Sequence, residues 1–386
     1  MRAPSSTARG RLAAAAILVL ITALAMALVP GLSAAKSRHK ASQDITVMTR
    51  NLYLGADLTP ALQSTGADSF VNANGAIVRQ VMATDFPLRA KALAKEILKS
   101  KPNLVGLQEV AEWRTSPPGT KSFTPAMGGT KTATIVQYDF LKLLLDQLNK
   151  RKKLYRAVEV NQEFDFEAPA DEDPAPPSGI NGASRNWRLT MRDVILARKG
   201  TKTSKARGGH FSHLLVETVA GITIPVTRGW AEVNAQVDHG PKFHFVDTHF
   251  EAFDNPAQVP SIRAQQASQL VGPGGPARSR LPVILVCDCN SDIKTEVQPG
   301  DSQAYRVLRN AGFAERSTSK PLSCCITDPN LVGGSIADFN HKVDHIMTDV
   351  PRRVKLVRSK VVGRAQFGGL WPSDHAGLVS TLRLIG

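Results

Sequence analysis

A group of carboxylates, amides and histidines in this sequence lies at or just after the ends of apolar runs such as "ITVMTR", "LVGLQ" and "PVILV". Its members are Asn51, Glu109, His249, Asp288, Asn290, Asp344, Asp374 and His375. Any one of these residues alone would be an ordinary structural residue. Together they form a set without a serine-triad or thiol pattern, and oxygen donors with histidines suit Mg²⁺ and hydrolysis at phosphorus.

The runs that carry these residues belong to an alternation of strand and helix patterns. "DITVMTRNLYL" alternates like a strand, and "DFPLRAKALAKEILKS" has apolar residues at helical spacing. "PNLVGLQEV" then predicts a buried strand, and "YDFLKLLLDQLNKRKK" predicts a second helix. Later in the chain, "LPVILVCDCN" is typical of a central strand, and "SIRAQQASQLV" predicts a helix with Ser261 as its N-cap. This order predicts an α/β protein.

The first 35 residues have the composition of a secretory signal. Three arginines precede an apolar run over residues 12–29, and small residues at 33–35 offer a cleavage site. We therefore expect export and cleavage after Ala35, with a membrane anchor as the alternative. Residues 36–43 are polar and basic, which predicts a flexible N-terminus for the mature chain.

The remaining residues, 44–386, are expected to form one domain, because no interior stretch has the composition of a linker between two cores. Within it, residues at about 161–186 are rich in proline and acidic side chains. That composition predicts a loop insertion on the surface, with an acidic cation-binding loop as the alternative.

The net charge of +15 falls to +12 without the leader, which contains three arginines and no acidic residue. A chain this basic favours polyanionic partners: nucleic acid, anionic lipid surfaces or cell-wall polymers. Basic clusters at residues 150–153 and 352–360 point the same way, although a solvated basic face would look alike.

The four cysteines form two close pairs, Cys287 with Cys289 and Cys324 with Cys325. Adjacent residues lie ~3.8 Å apart at Cα across a trans peptide, below the ~4.4–6.8 Å that disulfides usually span. A disulfide between the two pairs is therefore more plausible than one between Cys324 and Cys325. Packing alone is the alternative for Cys287 and Cys289, and a zinc site is a weaker one. In an extended strand, Cys287 and Cys289 would face away from Asp288.

Six motifs resemble, in order, those of the endonuclease/exonuclease/phosphatase superfamily: "TRNLYLG", "LVGLQEV", "VDTHFE", "CDCNSD", "KVDHIM" and "PSDHAG". The resemblance extends from about Ile45 to Leu384. It implies a four-layered α/β sandwich, in which two mixed β-sheets pack face to face with helices outside. It also implies an active site at one edge, where the loops converge.

The resemblance implies a metal end of this site. Glu109 resembles the principal Mg²⁺ ligand, with Asn51 beside it, and Asp374 resembles a second ligand. Mn²⁺ and Ca²⁺ are alternative ions. Arg192, in "RDVILAR", stands near the position of a residue that contacts the substrate phosphate.

The other matched residues resemble the groups that carry out the hydrolysis. Asp288 would orient or deprotonate the attacking water, and Asn290 would hold that water or a phosphate oxygen. His375 would stabilise the pentacoordinate phosphorus, with Asp344 fixing its tautomer. His249 resembles a second phosphate-binding histidine, or the acid that protonates the leaving oxygen.

The superfamily acts on several classes of phosphate ester, so the resemblance leaves the substrate open. Charge favours a secreted nuclease, and the alternative is a lipid phosphodiesterase of the sphingomyelinase or phospholipase C type. Trp371 and Leu370 in "FGGLWP" could contact a membrane surface, but no aromatic-rich hairpin is evident. A non-catalytic binding protein is disfavoured because no matched site residue is replaced. No protein partner is inferred.

Overall fold

The computed structural model describes residues 42–176, 178–253, 258–293 and 300–386. The expected leader, its cleavage site and residues 36–41 lie outside these ranges. Among the residues described, no helix is long and apolar enough to cross a membrane.

The first of two large sheets has eight strands. They are β1 (Ser42–Asn51), β2 (Leu104–Gln108), β3 (Glu112–Thr115), β4 (Ile135–Asp139), β5 (Tyr155–Ala170), β6 (Arg185–Arg198), β15 (Val354–Val362) and β16 (Gly377–Ile385). Their order is β15-β16-β1-β2-β6-β3-β4, and β5 pairs with β6. β1 and β2 run parallel while their outer neighbours are antiparallel, so the sheet is mixed.

The second large sheet has six strands in the order β13-β14-β12-β11-β10-β7. They are β7 (Thr201–His210), β10 (Gly229–Val237), β11 (Phe243–His249), β12 (Val283–Asp288), β13 (Ala314–Glu315) and β14 (Asp344–Thr348). β11 and β12 are parallel, and β14 runs antiparallel to β12. β8 (Leu215–Val219) and β9 (Ile222–Val226) form a separate hairpin.

Helices cover the outer faces of both sheets. They are α1 (Thr59–Leu62), α2 (Ala67–Ala83), α3 (Phe86–Ser100), α4 (Phe140–Asn149), α5 (Ile262–Val271) and α6 (Gln303–Asn310), with a short 3₁₀ helix at Ile336–Asp338. Ser261 caps α5 as predicted, since its hydroxyl accepts a hydrogen bond from Ala264 N. Asp85 caps α3 in the same way at Leu88 N.

Three apolar clusters define four layers. The middle cluster lies between the sheets and joins residues such as Val47 and Ile195 of the first sheet to Phe245 and Ile284 of the second. A second cluster packs α2, α3 and α4 on the first sheet, and a third packs α5 and α6 on the other. The predicted four-layered α/β sandwich, with two mixed sheets face to face and helices outside, is confirmed.

Two predicted segment boundaries differ from the structure. Ser42 and Gln43, expected in the flexible N-terminus, already pair with β16 as part of β1. The loop insertion expected at about 161–186 is shorter, because β5 continues to Ala170 and β6 begins at Arg185. The acids of this stretch alternate with Phe164 and Phe166, which pack on the first-sheet cluster, and the Asp165 carboxylate binds Arg188 at 2.8 Å. The acidic composition favoured a loop prediction, although the side chains of this stretch alternate with the period of two that is typical of a strand.

The topology brings the ends of six strands to one edge of the sandwich. β1, β2, β11 and β12 end there, and the antiparallel strands β14 and β16 begin there. Asp288 pairs in register with Asp344, and Thr49 pairs with Leu378, two residues beyond Ala376. Residues far apart in sequence therefore meet at this edge.

Candidate active site

Asn51 joins two carboxylates that come from different sheets. Its Nδ2 donates to Glu109 Oε1 at 3.1 Å and to Asp288 Oδ2 at 2.9 Å. Glu109 stands where the chain leaves β2 with a left-handed φ of 55°, and its other oxygen accepts a hydrogen bond from Leu54 N at 2.7 Å. One amide thus links the expected metal end of the site to the expected water-activating end.

Asp288 lies between two imidazoles. Its Oδ2 is 3.6 Å from His249 Nε2 and 3.5 Å from His375 Nε2, and the aspartate is almost completely buried. One ligand atom from each of Asp288, Asp344 and His375 lies within 4.8 Å of the others. The carboxylate therefore faces a small space that both histidine rings border.

His375 is held in a fixed orientation by Asp344. Its Nδ1 lies 3.1 Å from Asp344 Oδ2, and the same oxygen accepts a 2.7 Å hydrogen bond from the Ser323 hydroxyl. Burial alone would lower the pKa of His375, but Asp344, Asp288 and Asp374 raise it well above its ordinary value. These three carboxylates therefore favour the protonated form of the ring, and its Nε2 faces Asp288.

His249 has the opposite protonation state because Arg228 lies behind it. Burial, together with the Arg228 charge, lowers the pKa of His249 to about 3. Arg228 Nη1 is 3.2 Å from His249 Nδ1, and Nε2 lies on the side of Asp288, 3.6 Å from its Oδ2. A pKa this low makes the ring neutral near pH 7.

Asn290 lies beside this pair at the turn that follows β12, with a left-handed φ of 45°. Its backbone N–H donates to Asp288 Oδ1 at 3.1 Å, and its side-chain Nδ2 lies 3.0 Å from His249 Nε2. Nδ2 also donates to Phe250 O at 2.9 Å. The turn thus aims the amide of Asn290 at the same space as the Asp288 carboxylate.

Glu109 and Asp374 form the partly exposed, acidic end of the site. Burial and the Asp374 charge raise the pKa of Glu109, and burial with the Asp288 charge raises that of Asp374. Two carboxylates at one end of the site suit a divalent cation, because Mg²⁺ usually binds one or two carboxylates and keeps several waters. The residues present at this end therefore fit the ion that the sequence implies.

Arg192 differs from the expectation of a phosphate contact, because its guanidinium is engaged within the protein. Nε donates to Val110 O at 2.9 Å, Nη2 donates to the Asp139 carboxylate at 2.7 Å, and Nη1 lies 3.6 Å from Glu112. Arg192 thereby holds the segment that follows Glu109. These contacts are those of a residue that positions neighbouring segments of the chain.

The sequence did not lead us to predict a group of buried charged residues that lies next to the two histidines. Arg228 pairs with Glu251 at 3.3 Å, and its charge also acts on the carboxylates of Glu163 and Asp193. Burial is the main cause that raises the pKa of Asp193 to about 7, and it raises that of Asp247 as well. An acid inside an apolar run, as in "RDVILA" or "HFVDTH", was the available signal.

The prediction of a disulfide between the two cysteine pairs is wrong. Cys287 bonds Cys289, and Cys324 bonds Cys325 across a cis peptide bond. Cys287 and Cys289 lie in the apolar cluster under α5 and α6, on the face away from Asp288, as expected. Cys324 and Cys325 are instead at the site, with each Sγ 3.7 Å from His375 Nε2. Opposite faces of the sheet keep the two pairs apart.

No protein-family model matches the sequence. A comparison with curated proteins likewise finds no match.

Solved structures, by contrast, resemble the chain along most of its length. An endonuclease/exonuclease/phosphatase family protein from Leptotrichia buccalis matches with a TM-score of 0.51 at 13% identity, over 88% of this chain and 99% of that one. A family protein from Bacteroides thetaiotaomicron matches at 0.49 and 16%, over 89% and 98%. A mannosyl-6-phosphatase from the same species matches at 0.47 and 14%, over 88% and 99%. The likeness to the Leptotrichia protein shows that this chain has the fold that the six motifs imply.

Proposed function

We propose that the protein is a divalent-metal-dependent hydrolase of phosphate esters. The observation that carries the proposal is the contact series Asp344–His375–Asp288, which Asn51 continues to Glu109. The residues along this series that border one space are Asp288, which would activate the water, His375, which would donate to the phosphoryl group, and Glu109, which would bind the metal. In-line displacement at phosphorus needs those three functions together.

Glu109 and Asp374 would hold the cation, and Asn51 would keep Glu109 in place. Mg²⁺ is the first choice for this donor set, with Mn²⁺ and Ca²⁺ as alternatives. When bound, the ion would supply positive charge to the phosphate oxygens.

Side chains of the protein would carry out the remaining steps, and the charge of each side chain determines its role. Asp288 would orient a water and take its proton, with Asn290 holding that water or a phosphate oxygen. His375, as an imidazolium, would donate Nε2–H to the negative charge that develops on the phosphoryl group. His249 is neutral, so it would contact the phosphate or the leaving oxygen through hydrogen bonding at Nε2 without adding charge.

Nucleic acid is the substrate that net charge favours, and extracellular nuclease activity is our first proposal from the sequence. Not all of the basic surface supports it, however. Residues 150–153 come just before Tyr155, the first residue of β5. Tyr155 pairs with Arg198 of β6, close to the point where Leu104 begins β2. Glu109 lies past the other end of β2, about 17 Å away at ~3.3 Å per residue. That cluster is therefore too remote to hold a phosphate at the site.

The proposal of export rests on the first 35 residues alone. N-terminal sequencing of protein recovered from culture medium tests it: a chain that begins at Lys36 supports cleavage after Ala35. An intact N-terminus in the membrane fraction would instead support the anchor.

Hydrolysis of bis(4-nitrophenyl) phosphate, plasmid DNA, RNA and sphingomyelin by the purified protein tests the reaction. We expect turnover of the nitrophenyl diester with Mg²⁺ and its loss in EDTA, with recovery on adding metal. His375→Ala should be inactive, while His239→Asn, in the exposed hairpin at the opposite edge, should behave like the wild type. Turnover that is undiminished in EDTA would sink the metal-dependent mechanism.

A further inference from the structure

A cavity of about 460 Å³ extends from the acidic end of the site into the layer between the first sheet and its helices. Glu109 and Asp374 line its mouth, and Phe70 and Ile77 of α2 line its interior. At ~30 Å³ per molecule, its volume equals that of about 15 waters, which is within the usual range of small-ligand pockets. The space is thus large enough for a substituent attached to a phosphate held at Glu109.

The interior of this cavity, here called the apolar chamber, is walled mainly by hydrocarbon. β5 contributes Phe166 and Ala168, and β6 contributes Leu189 and Met191, all of which belong to the buried or half-buried part of the first-sheet cluster. At the rim, the half-exposed side chain of Phe253 continues the apolar surface outward.

The polar tips of two aromatic residues in the wall are already used by the protein. Trp113 Nε1 donates to Leu54 O at 2.9 Å, and the Tyr53 hydroxyl donates to Pro329 O at 2.8 Å. Neither group is left over to bind a polar guest, and among the aromatic side chains of the lining only Trp187 offers a donor, Nε1, that has no hydrogen-bond partner within the described residues. The charged residues of the lining (Glu109, Asp374, Arg228 and Asp57) include both residues of the acidic end.

We propose that the apolar chamber binds a hydrocarbon chain of the substrate, which makes the substrate an amphiphilic phosphodiester of the lipid class. The inference rests on the proposed function and names the substrate for the same site. A nucleobase fits the chamber poorly, because its N–H and C=O groups would lose water and gain few partners among these walls. A hydrocarbon chain has no polar groups that would lose their hydration on entry. The phosphate attached to it would remain beside Glu109 and Asp374.

Alkyl 4-nitrophenyl phosphates of increasing chain length, from methyl to dodecyl and below their micelle concentrations, test this directly. Water attacks phosphorus, 4-nitrophenolate leaves, and the alkyl phosphate remains as the second product. We expect kcat/KM to rise about fourfold for each added methylene until the chamber is full. Equal kcat/KM for methyl and dodecyl esters would overturn the inference and leave the proposed function standing.

A variant with a larger side chain in the chamber provides a second, independent test. Ala168→Phe should abolish the chain-length dependence while the methyl ester is turned over within about twofold of wild type. Ala175→Phe adds the same bulk at an exposed position in the loop after β5 and should keep the dependence. If Ala168→Phe does not fold, as judged by circular dichroism, Ile77→Phe narrows the chamber from the helix side. A dependence that survives a folded, chamber-filling variant counts against the chamber.

Binding of monomeric dodecylphosphocholine, measured by isothermal titration calorimetry at two temperatures, separates the two proposals. The wild type should bind with a negative heat-capacity change, and the chamber-filling variant should not. Binding without turnover of any ester would contradict the proposed function alone. If the wild type and the chamber-filling variant both cleave plasmid DNA efficiently, and the alkyl esters show no chain-length effect, the protein is a nuclease and the chamber does not bind substrate.

Discussion

The 3.1 Å contact between Asp344 Oδ2 and His375 Nδ1 determines which imidazole nitrogen faces the reaction space. Because Nδ1 is engaged, Nε2 is the nitrogen that points toward Asp288, 3.5 Å away. Asp344 also raises the pKa of His375, against the effect of burial. Asp344 therefore fixes the orientation of the ring and, together with Asp288 and Asp374, favours its protonated form.

Replacing this carboxylate should impair the site without disturbing the fold. Asp344→Asn keeps the shape but removes the charge, so the pKa of His375 should fall and less imidazolium should be present at pH 7. We expect kcat to drop about 100-fold, with a smaller change in KM. NMR titration of the His375 ring and steady-state kinetics check both effects.

Asp349→Asn serves as the matched control. Asp349 lies just beyond the other end of β14, where its carboxylate accepts a 2.9 Å hydrogen bond from Val283 N. Its replacement should leave kcat and the His375 titration unchanged. An Asp344→Asn enzyme with wild-type kcat would contradict the role given to the pair.

Glu109→Gln should weaken metal binding. The amide keeps one oxygen but loses the negative charge, so we expect the Mg²⁺ dissociation constant to rise by at least about tenfold. Isothermal titration calorimetry measures this independently of turnover. Glu112→Gln is the control: Glu112 is a nearby glutamate that forms an ion pair with Arg114. An unchanged Mg²⁺ titration in Glu109→Gln would remove Glu109 from the metal site.

Strand periodicity predicted an α/β protein, and the resemblance of the six motifs implied the sandwich and the set of residues at its edge. Alternation along β12 placed Asp288 on one face and the cysteines on the other, because successive side chains point to opposite sides. The motif set also predicted that Asn51 and Glu109 would meet, although 57 residues separate them.

Arg228 and its partners could not be predicted in the same way. Arg228 stands between β9 and β10, and its contacts to His249 and Glu251 depend on how distant strands meet. Nothing in "VTRGW" indicates a buried cation.

The two cysteine pairs should respond differently to replacement. Changing Cys287 and Cys289 together to Ala removes buried volume from the cluster under α5 and α6, so the free energy of unfolding should fall by about 1–3 kcal/mol. Because these side chains face away from Asp288, kcat and the Mg²⁺ titration should stay the same. Urea denaturation and steady-state kinetics on one preparation compare the two effects.

Changing Cys324 and Cys325 together to Ala should instead affect catalysis. Both sulfurs lie 3.7 Å from His375 Nε2, so their loss opens space for water beside the imidazolium. We expect kcat to fall about tenfold through poorer positioning of the ring. If this double variant loses only stability and keeps its kcat, the sulfurs are not part of the site environment.

Glu315 should make the stability of the second sheet depend on pH. Its Oε2 lies 2.7 Å from His345 Nδ1 and 3.8 Å from Lys342 Nζ, and the Ser317 hydroxyl donates to Oε1 at 2.6 Å. Burial alone would raise the pKa of Glu315, but His345 and Lys342 lower it to about 2. A carboxyl with a lowered pKa stabilises the fold above its unfolded pKa of about 4.5, and this contribution disappears as the pH falls toward 2.

Glu315→Gln should therefore be less stable than the wild type at pH 6 by up to about 3 kcal/mol, the free energy of a shift this large. The difference should shrink steadily between pH 4.5 and pH 2, because the wild type then takes up the proton that glutamine does not need. Urea denaturation at pH 6, 5, 4 and 3 measures it, with Asp238→Asn in the exposed hairpin after β10 as a control that should show no such trend. A stability difference that is constant across this range would show that the ion pair does not govern the titration.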